Sequence, residues 1–199
     1  MNLQNTQTLT NLMRAFVGES LARNRYTFAA ETAEQQKLQV ISAVFRFTAD
    51  QEKEHAEIFA DCLGRAGQEN LELAAGYPVD TSANVLALLA AAAKNEEQEH
   101  LEAYPAFAAK AREEGFGEIA RKFELIAEIE KCHAGRFRAF HKLLSENKLF
   151  VSDAACGWIC LNCGHEFTAL AAPEKCPVCS HDRGYFIRVE MSPYSYLNV

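Results

Sequence analysis

The feature of this sequence that most constrains its fold is a glutamate and a histidine, three residues apart, on an otherwise apolar helix face. Glu130 and His133 are separated by about 300° of helical turn, so their side chains lie one above the other. The rest of that face has the spacing of a buried helix and consists of Phe123, Ile126, Phe137 and Phe140. Burying an ionised carboxylate in such a core costs several kcal/mol unless something neutralises it. The segment therefore predicts a carboxylate that is paired or bound to a metal inside a helical core.

The same pattern occurs earlier in the chain, with Glu52 and His55 in the equivalent positions. The apolar face around this second pair comprises Phe45, Thr48, Phe59 and Cys62. Two Glu-x-x-His elements on two amphipathic helices are what a pair of metal ions with shared carboxylates requires.

Hydrophobic periodicity predicts four long helices, at residues 6–30, 33–63, 83–114 and 118–146. Thr32 and Gln35 resemble a capping box, which puts the first turn at Thr32. Thr81 or Ser82 is expected to cap the third helix, and Pro105 is expected to kink it or open its backbone hydrogen bonding. Residues 65–81 show little period and contain Gly67, Gly76 and Pro78. We interpret them as a long crossover between two helical hairpins.

The helical part contains an internal repeat. Glu19 precedes Glu52 by 33 positions, and Glu96 precedes Glu130 by 34. Each half is thus helix, turn, helix, with a single glutamate on the first helix and Glu-x-x-His on the second. Glu99 lies one turn beyond Glu96 on the same face.

The inward faces therefore carry five carboxylates (Glu19, Glu52, Glu96, Glu99 and Glu130) and two imidazoles (His55 and His133). Two divalent ions supply four positive charges against these five negative ones, and two trivalent ions supply six. This balance suits a redox pair, and the oxygen and nitrogen ligands favour iron or manganese over zinc. Tyr26 and Tyr104 are each placed either to hydrogen-bond a ligand carboxylate or to fill the core. Glu54, Glu97, Glu102, His100 and His141 are interpreted as surface residues.

The composition changes after Asn147, where glycine, proline, cysteine and short β-prone segments replace the helical period. We predict a boundary near 148–153, with one domain at 1–147 and a second at 153–199. Two Cys-x-x-Cys pairs, Cys160 with Cys163 and Cys176 with Cys179, predict a tetrahedral four-sulfur metal site. Iron and structural zinc both fit this spacing, and the adjoining redox-suited bundle favours iron.

Bulk properties exclude some classes of function. The net charge of −7 and the lack of a basic patch argue against nucleic-acid or anionic-membrane partners. The longest apolar stretch, at 85–93, is far shorter than the ~20 residues that span a bilayer. The seven cysteines fit metal binding in a reducing compartment rather than a disulfide framework. With no secretory signal visible, a cytoplasmic location is expected.

Taken together, these motifs resemble rubrerythrin over essentially the whole chain. The segments that carry the resemblance are residues 18–28, Glu52 to His55, Asn95-Glu96 with Glu99 ahead of Tyr104-Pro105, Glu130 with His133, and the paired cysteines with residues 172–177. The resemblance implies a mainly α fold, in which a ferritin-like four-helix bundle is followed by a small rubredoxin-like domain of strands and loops.

The resemblance also implies a role for each ligand. Glu52 and Glu130 are expected to bridge two iron ions, Glu19 and Glu99 to bind one ion, and Glu96 and His133 to bind the other. His55 is expected to exchange with Glu99 when the redox state changes. The four paired cysteines are expected to hold a single iron ion.

The activity that the resemblance implies is reduction of hydrogen peroxide to water, with electrons passing from the four-cysteine iron to the di-iron site. An external redox protein fed by NADH is expected to donate them, because the sequence has no nicotinamide or flavin fingerprint. A homodimer or larger assembly is also implied. Two alternatives stay open: iron oxidation for storage, and a structural zinc-ribbon protein. The chain departs from the family in having Asn95 where glycine is common, Lys94 beside it, and no glycine in the first hairpin turn.

Overall fold

The computed structural model describes residues 3–67 and 70–192. Five α-helices come first, and they are α1 (Gln7–Gln35), α2 (Gln39–Gly64), α3 (Val85–Gln98), α4 (Tyr104–Glu113) and α5 (Gly117–Ser145). A π-helical turn, Glu99–Ala103, joins α3 to α4, so that these two helices form the third rod of a four-helix bundle. Three strands follow, β1 (Val151–Cys160), β2 (Glu166–Ala171) and β3 (Phe186–Arg188). The predicted mainly α fold with a small β module at its end is confirmed.

The first hairpin turn lies later than predicted. Thr32 does not cap α2, because its hydroxyl donates to the carbonyl of Phe28 inside α1. The helix continues to Gln35 and ends in a turn in which the Leu38 N–H donates to the Ala33 carbonyl. Lys37 occupies the left-handed position of that turn, with φ of 58°, where glycine would be the unstrained residue. The prediction of a capping box was therefore wrong, and α2 begins at Gln39 instead of Ala33.

The third rod begins close to the expected place, and its hydrogen bonding changes close to the expected proline. Its N-cap is Asn84, whose side chain accepts from the backbone N–H groups of Leu86 and Ala87. Neither Thr81 nor Ser82 caps the helix, and the Ser82 hydroxyl instead accepts from the Asn84 N–H. Pro105 stands in the first turn of α4, directly after the π turn. The expected local opening of the backbone hydrogen bonding at Pro105 is confirmed, since a proline lacks the N–H that a continuous helix requires.

Aromatic residues pack above and below the level of the two Glu-x-x-His elements. On one side Phe45 and Phe137 lie 5.1 Å apart, and on the other Phe59 and Phe123 also lie 5.1 Å apart. Each phenylalanine stands seven residues from the glutamate of its own helix, which is two helical turns. The two apolar clusters thereby leave one polar layer, sealed at both ends, in the middle of the bundle.

The C-terminal module is a three-stranded antiparallel sheet with the order β2-β1-β3, built around the fully buried Trp158. Ile187 of this sheet contributes to the apolar core at the α1–α2 turn. Gly184 is pressed against the same turn, where any side chain would clash with the Lys37 carbonyl. The predicted domain boundary stays a prediction, and residues 193–199 of the predicted second domain lie outside the described residues. No helix in the described ranges combines the length and apolarity that a bilayer crossing requires.

Candidate metal centres

The polar layer brings together six of the seven predicted bundle ligands. Glu19, Glu52, Glu130 and His133 are fully buried, and Glu96 and His55 are at most 4% exposed. They lie in two groups that share Glu52 and Glu130. The first group adds Glu19 and His55, and the second adds Glu96 and His133. Within each group the potential ligand atoms lie within 4.8 Å of one another, the arrangement expected of two ions bridged by two carboxylates.

Each imidazole contacts the shared carboxylates through Nδ1. His55 Nδ1 lies 3.0 Å from Glu52 Oε2 and 3.0 Å from Glu130 Oε1. His133 Nδ1 lies 2.8 Å from Glu130 Oε2 and 3.0 Å from Glu52 Oε1. One nitrogen of each ring is therefore directed at the centre of the layer.

The donor set fits metal ions better than it fits hydrogen bonding within the protein. Each of the four buried glutamates has at least one side-chain oxygen without a hydrogen-bond partner, and Glu130 has two. His133 Nδ1 also lacks a partner. Such buried acceptors cost free energy unless something satisfies them. Convergent lone pairs at contact distance, poorly aligned for hydrogen bonds, are what the ligands of a cation present. The residues present therefore fit two ions.

Electrostatics within the layer agree with this conclusion. Burial raises the pKa of Glu19 and of Glu130 well above the ordinary value, and the neighbouring glutamates raise them further. Burial acts to raise the pKa of Glu52 as well, but the two adjoining histidines outweigh it and lower this pKa to about 2. Burial acts to lower the pKa of His133, but the surrounding glutamates lie close to its ring and raise this pKa to about 12. In the metal-free protein, bound protons must therefore neutralise the buried carboxylates.

The stability of the metal-free protein should accordingly fall as the pH rises. The folded-state pKa values of Glu19, Glu99 and Glu130 are raised above the ordinary 4.5, so the folded protein holds protons that the unfolded chain has released. The stability that these protons provide is complete below pH 4.5 and is lost above it, by about 1.4 kcal/mol per pH unit for each extra proton. Urea unfolding of metal-free protein between pH 5 and pH 8 measures the slope. A free energy of unfolding that is constant or rises over this range would contradict the prediction.

Two tyrosines support the carboxylates. The Tyr26 hydroxyl donates to Glu96, and the Tyr104 hydroxyl donates to Glu19. Both tyrosine side chains are buried. Each tyrosine therefore both hydrogen-bonds a ligand carboxylate and fills the core, since its ring packs in an aromatic cluster. Such outer hydrogen bonds hold a ligand in one orientation.

A third support was missed in the sequence. Gln51 Oε1 lies 3.1 Å from His133 Nε2 and accepts a further hydrogen bond of 3.0 Å from Arg136. Because an amide oxygen can only accept, the Nε2 of His133 carries a proton whether or not the ring is charged, and Nδ1 is the nitrogen that can give up its proton to bind a metal. The available signal was Arg136, a cation one helical turn beyond His133.

Glu99 is placed differently from the other ligands. It lies in the π turn, is only half-buried and belongs to neither group of ligand atoms. Its neighbour His100, predicted to be a surface residue, is half-buried, with Nδ1 2.9 Å from the Ala127 carbonyl. His100 is thus partly exposed and is also attached to α5 through this contact. Glu54 and Glu102 are exposed as expected, whereas Glu97 and His141 are intermediate in exposure.

The second centre is in the C-terminal module. The four predicted cysteines converge, with sulfur–sulfur distances of 3.8 Å between Cys160 and Cys179 and 3.6 Å between Cys163 and Cys176. A tetrahedron with metal–sulfur bonds of about 2.3 Å has edges of about 3.8 Å, so the cage has the size of one tetrahedral metal site. A hydrogen bond from the backbone N–H of His181 lowers the pKa of Cys179 to about 6, which favours the thiolate.

Comparisons with known proteins agree with this architecture. The rubrerythrin family profile matches residues 10–84 and 87–157, and the profile of the rubrerythrin rubredoxin-like domain matches residues 158–187. The chain is 43% identical to rubrerythrin-1 of Clostridium acetobutylicum over 190 residues, which cover 93% of this chain and 95% of that protein. It is 40% identical to rubrerythrin of Nitratidesulfovibrio vulgaris over 185 residues, with the same coverage of both chains.

Solved structures show the same fold. Partially reduced nigerythrin has a TM-score of 0.63 at 26% identity, covering 94% of this chain and 91% of that one. The bacterioferritin of Desulfovibrio desulfuricans has a TM-score of 0.65 at 25% identity, covering 71% and 82%. With its carboxylate and histidine di-iron site and its four-cysteine rubredoxin-like centre, the chain belongs to the rubrerythrin family.

Proposed function

We propose that this chain is an oxidoreductase that reduces hydrogen peroxide to water and protects the cell against oxidative stress. The observation that carries the proposal is the presence of two centres in one chain, a pair of buried sites sharing Glu52 and Glu130 and a four-sulfur cage. A bundle that only stored iron would have no use for an electron-transfer module. Reduction of one peroxide consumes two electrons and two protons and yields two water molecules.

The ligand roles follow the grouping of the side chains. Glu52 and Glu130 would be shared by both ions, Glu19 would hold one of them, and Glu96 with His133 would hold the other. His55 and Glu99 would be alternative fourth ligands on the Glu19 side. The position of His55 within the first group, with Glu99 outside it, supports such an exchange. When bound, the paired irons supply two electrons to the peroxide, and the four-thiolate iron passes electrons singly.

The remaining residues hold this site in order. Tyr26 and Tyr104 keep Glu96 and Glu19 pointing inward, and Gln51 keeps His133 in the tautomer that leaves Nδ1 available. The aromatic clusters above and below keep bulk water out of the layer. These groups preorganise the ligands, so that little reorganisation accompanies the reaction.

The sequence has no nicotinamide or flavin fingerprint, so we infer that a separate protein supplies the electrons. Electrons come ultimately from NADH through a separate redox protein, a rubredoxin or a reductase, which reduces the four-cysteine centre. We further propose a homodimer or larger assembly. None of the seven cysteines, all of which lie in the described residues, forms a disulfide, which supports a reducing compartment, the cytoplasm.

Rapid mixing of the reduced protein with peroxide tests the proposal. Iron-loaded protein is reduced without oxygen, mixed with one equivalent of hydrogen peroxide per chain, and followed by absorbance. Oxidation of the bundle irons should precede that of the four-cysteine iron and be faster than with dioxygen. Reduced protein that oxidises no faster with peroxide than with dioxygen would contradict the proposal.

Iron oxidation for storage is the second candidate, favoured by the likeness to bacterioferritin over the bundle. The two functions differ in what happens to added iron. A peroxidase retains two irons in the bundle and one in the cysteine cage per chain. A storage protein continues to take up iron far beyond this stoichiometry, which iron analysis after repeated Fe(II) additions measures.

A further inference from the structure

A cavity of about 380 Å³ lies between the crossover segment and the bundle, on the side of the π turn. Its inner wall includes Glu99 and Tyr104, and its outer wall includes Gly76, Tyr77 and Pro78 of the crossover. Glu99 is the least buried of the seven predicted ligands, and Tyr104 donates to the ligand Glu19. The cavity thus extends from the surface of the protein to residues at the metal layer.

Tyr77 and Gly18 are neighbours in the lining of this cavity. The Tyr77 hydroxyl donates to the Arg14 carbonyl of α1 at 3.0 Å, which holds its half-buried ring across the opening. A Cβ added to Gly18 would lie 3.7 Å from the edge of that ring, an ordinary contact distance. Because Gly18 has no side chain, a narrow space remains between α1 and the Tyr77 ring. A larger side chain there would fill it.

The crossover is fastened on the far side of the cavity as well. Asp80 accepts a 2.6 Å hydrogen bond from Asn95 of α3, and its carboxylate lies 3.5 Å from Arg25 Nε of α1. The side chain of Asn95 therefore ties the crossover to α3 at this point. The crossover is thus attached to the bundle on both sides of the cavity, through Tyr77 and through Asp80. These contacts hold the Tyr77 ring in place as a wall of the cavity.

We propose that this cavity is the route by which the oxidant reaches the metal layer at Glu99, and that Tyr77 determines how large an oxidant is admitted. The inference rests on the proposed peroxidase function for the identity of the oxidant. A two-oxygen molecule passes beneath the ring, whereas an alkyl or aryl hydroperoxide is excluded. Size selection of this kind is set by the fixed walls of a site.

Two substitutions of opposite effect test the route. Tyr77→Ala opens the wall and should raise kcat/KM for cumene hydroperoxide relative to that for hydrogen peroxide by about tenfold. Gly18→Leu fills the space and should lower kcat/KM for both peroxides by about tenfold or more. Tyr77→Phe is the matched control, because it keeps the ring and the Asp80 ties and loses only the bond to the Arg14 carbonyl, so its ratio should stay within about twofold of the parent's. Iron content is measured for each variant, so that loss of metal is not mistaken for loss of access.

Binding of azide to the oxidised, iron-loaded protein provides a readout that does not depend on turnover. The association rate constant, followed by absorbance, should fall about tenfold in Gly18→Leu and should not fall in Tyr77→Ala. If the protein reduces no peroxide, the proposed function fails while the azide rates still test the route. Unchanged azide rates in Gly18→Leu, or an unchanged peroxide ratio in an iron-replete Tyr77→Ala variant, would overturn the assignment of the cavity.

Discussion

The Glu130→Gln variant is expected to lose the iron pair of the bundle while keeping its fold and the iron of the cysteine cage. Glu130 belongs to both ligand groups, and both of its oxygens lack hydrogen-bond partners, so its replacement removes a charged ligand from each ion. Loss of a residue that merely orients a ligand costs 10- to 100-fold in affinity or activity, so loss of a shared ligand should cost at least about 100-fold. Iron analysis and the rate of oxidation by peroxide measure the two losses.

The same substitution should not destabilise the metal-free protein. Burial and neighbouring glutamates raise the pKa of Glu130, so without metal a neutral amide of the same shape resembles its favoured protonated form. We expect a free energy of unfolding at pH 7 equal to the parent's or higher by about 1–3 kcal/mol. Glu128→Gln, on the exposed face of α5, is the matched control and should change neither property. A Glu130→Gln variant that retains two bundle irons would refute the assignment of Glu130 as a bridge.

The second large effect is expected from Cys163→Ala, which should separate electron supply from peroxide reduction. Cys163 is the exposed member of the four-sulfur cage, so its removal disturbs the packing of the module least. With three sulfurs left, the site should lose its iron and the red colour of a ferric four-thiolate centre. Steady-state turnover with an external donor protein should fall at least about 100-fold, by the same reasoning as for a lost ligand.

A single turnover distinguishes this effect from general damage. When the bundle irons of Cys163→Ala are reduced chemically, their oxidation by peroxide should proceed at the parent's rate, because no bundle ligand has changed. Cys156→Ala is the matched control in the same module, since Cys156 lies outside the cage and should affect neither measurement. Parental steady-state turnover in an iron-depleted Cys163→Ala cage would show that electrons bypass the four-cysteine centre.

Much of the bundle and its candidate site could be predicted from helical spacing. Glu52 with His55 and Glu130 with His133 are local pairs, and three residues of helix necessarily bring each pair onto one face. The internal repeat then related the two halves and indicated where Glu19 and Glu96 belong. The two cysteine pairs are local in the same sense, because each Cys-x-x-Cys turn orients its own two sulfurs.

Helix ends were predicted less well, since several residues compete for each of them. Thr32 is of a residue type that often caps helices, but its hydroxyl hydrogen-bonds within α1. Lys37 takes the left-handed conformation at the turn. Asn84 caps α3 in preference to Thr81 and Ser82. Each choice depends on differences of about 1 kcal/mol between neighbouring residues, which packing of the hairpin readily overrides.

Helical period and the cost of burying charge act within one segment, so the inward-facing residues and their chemistry could be predicted from the sequence. The way in which the segments meet could not. Examples are the support of His133 by Gln51 and Arg136, the position of Glu99 in a π turn outside both ligand groups, and the position of Tyr77 over a cavity. The contacts of Gln51 and of Tyr77 join residues dozens of positions apart. They depend on how the helices pack and where the crossover lies, and no local spacing encodes either.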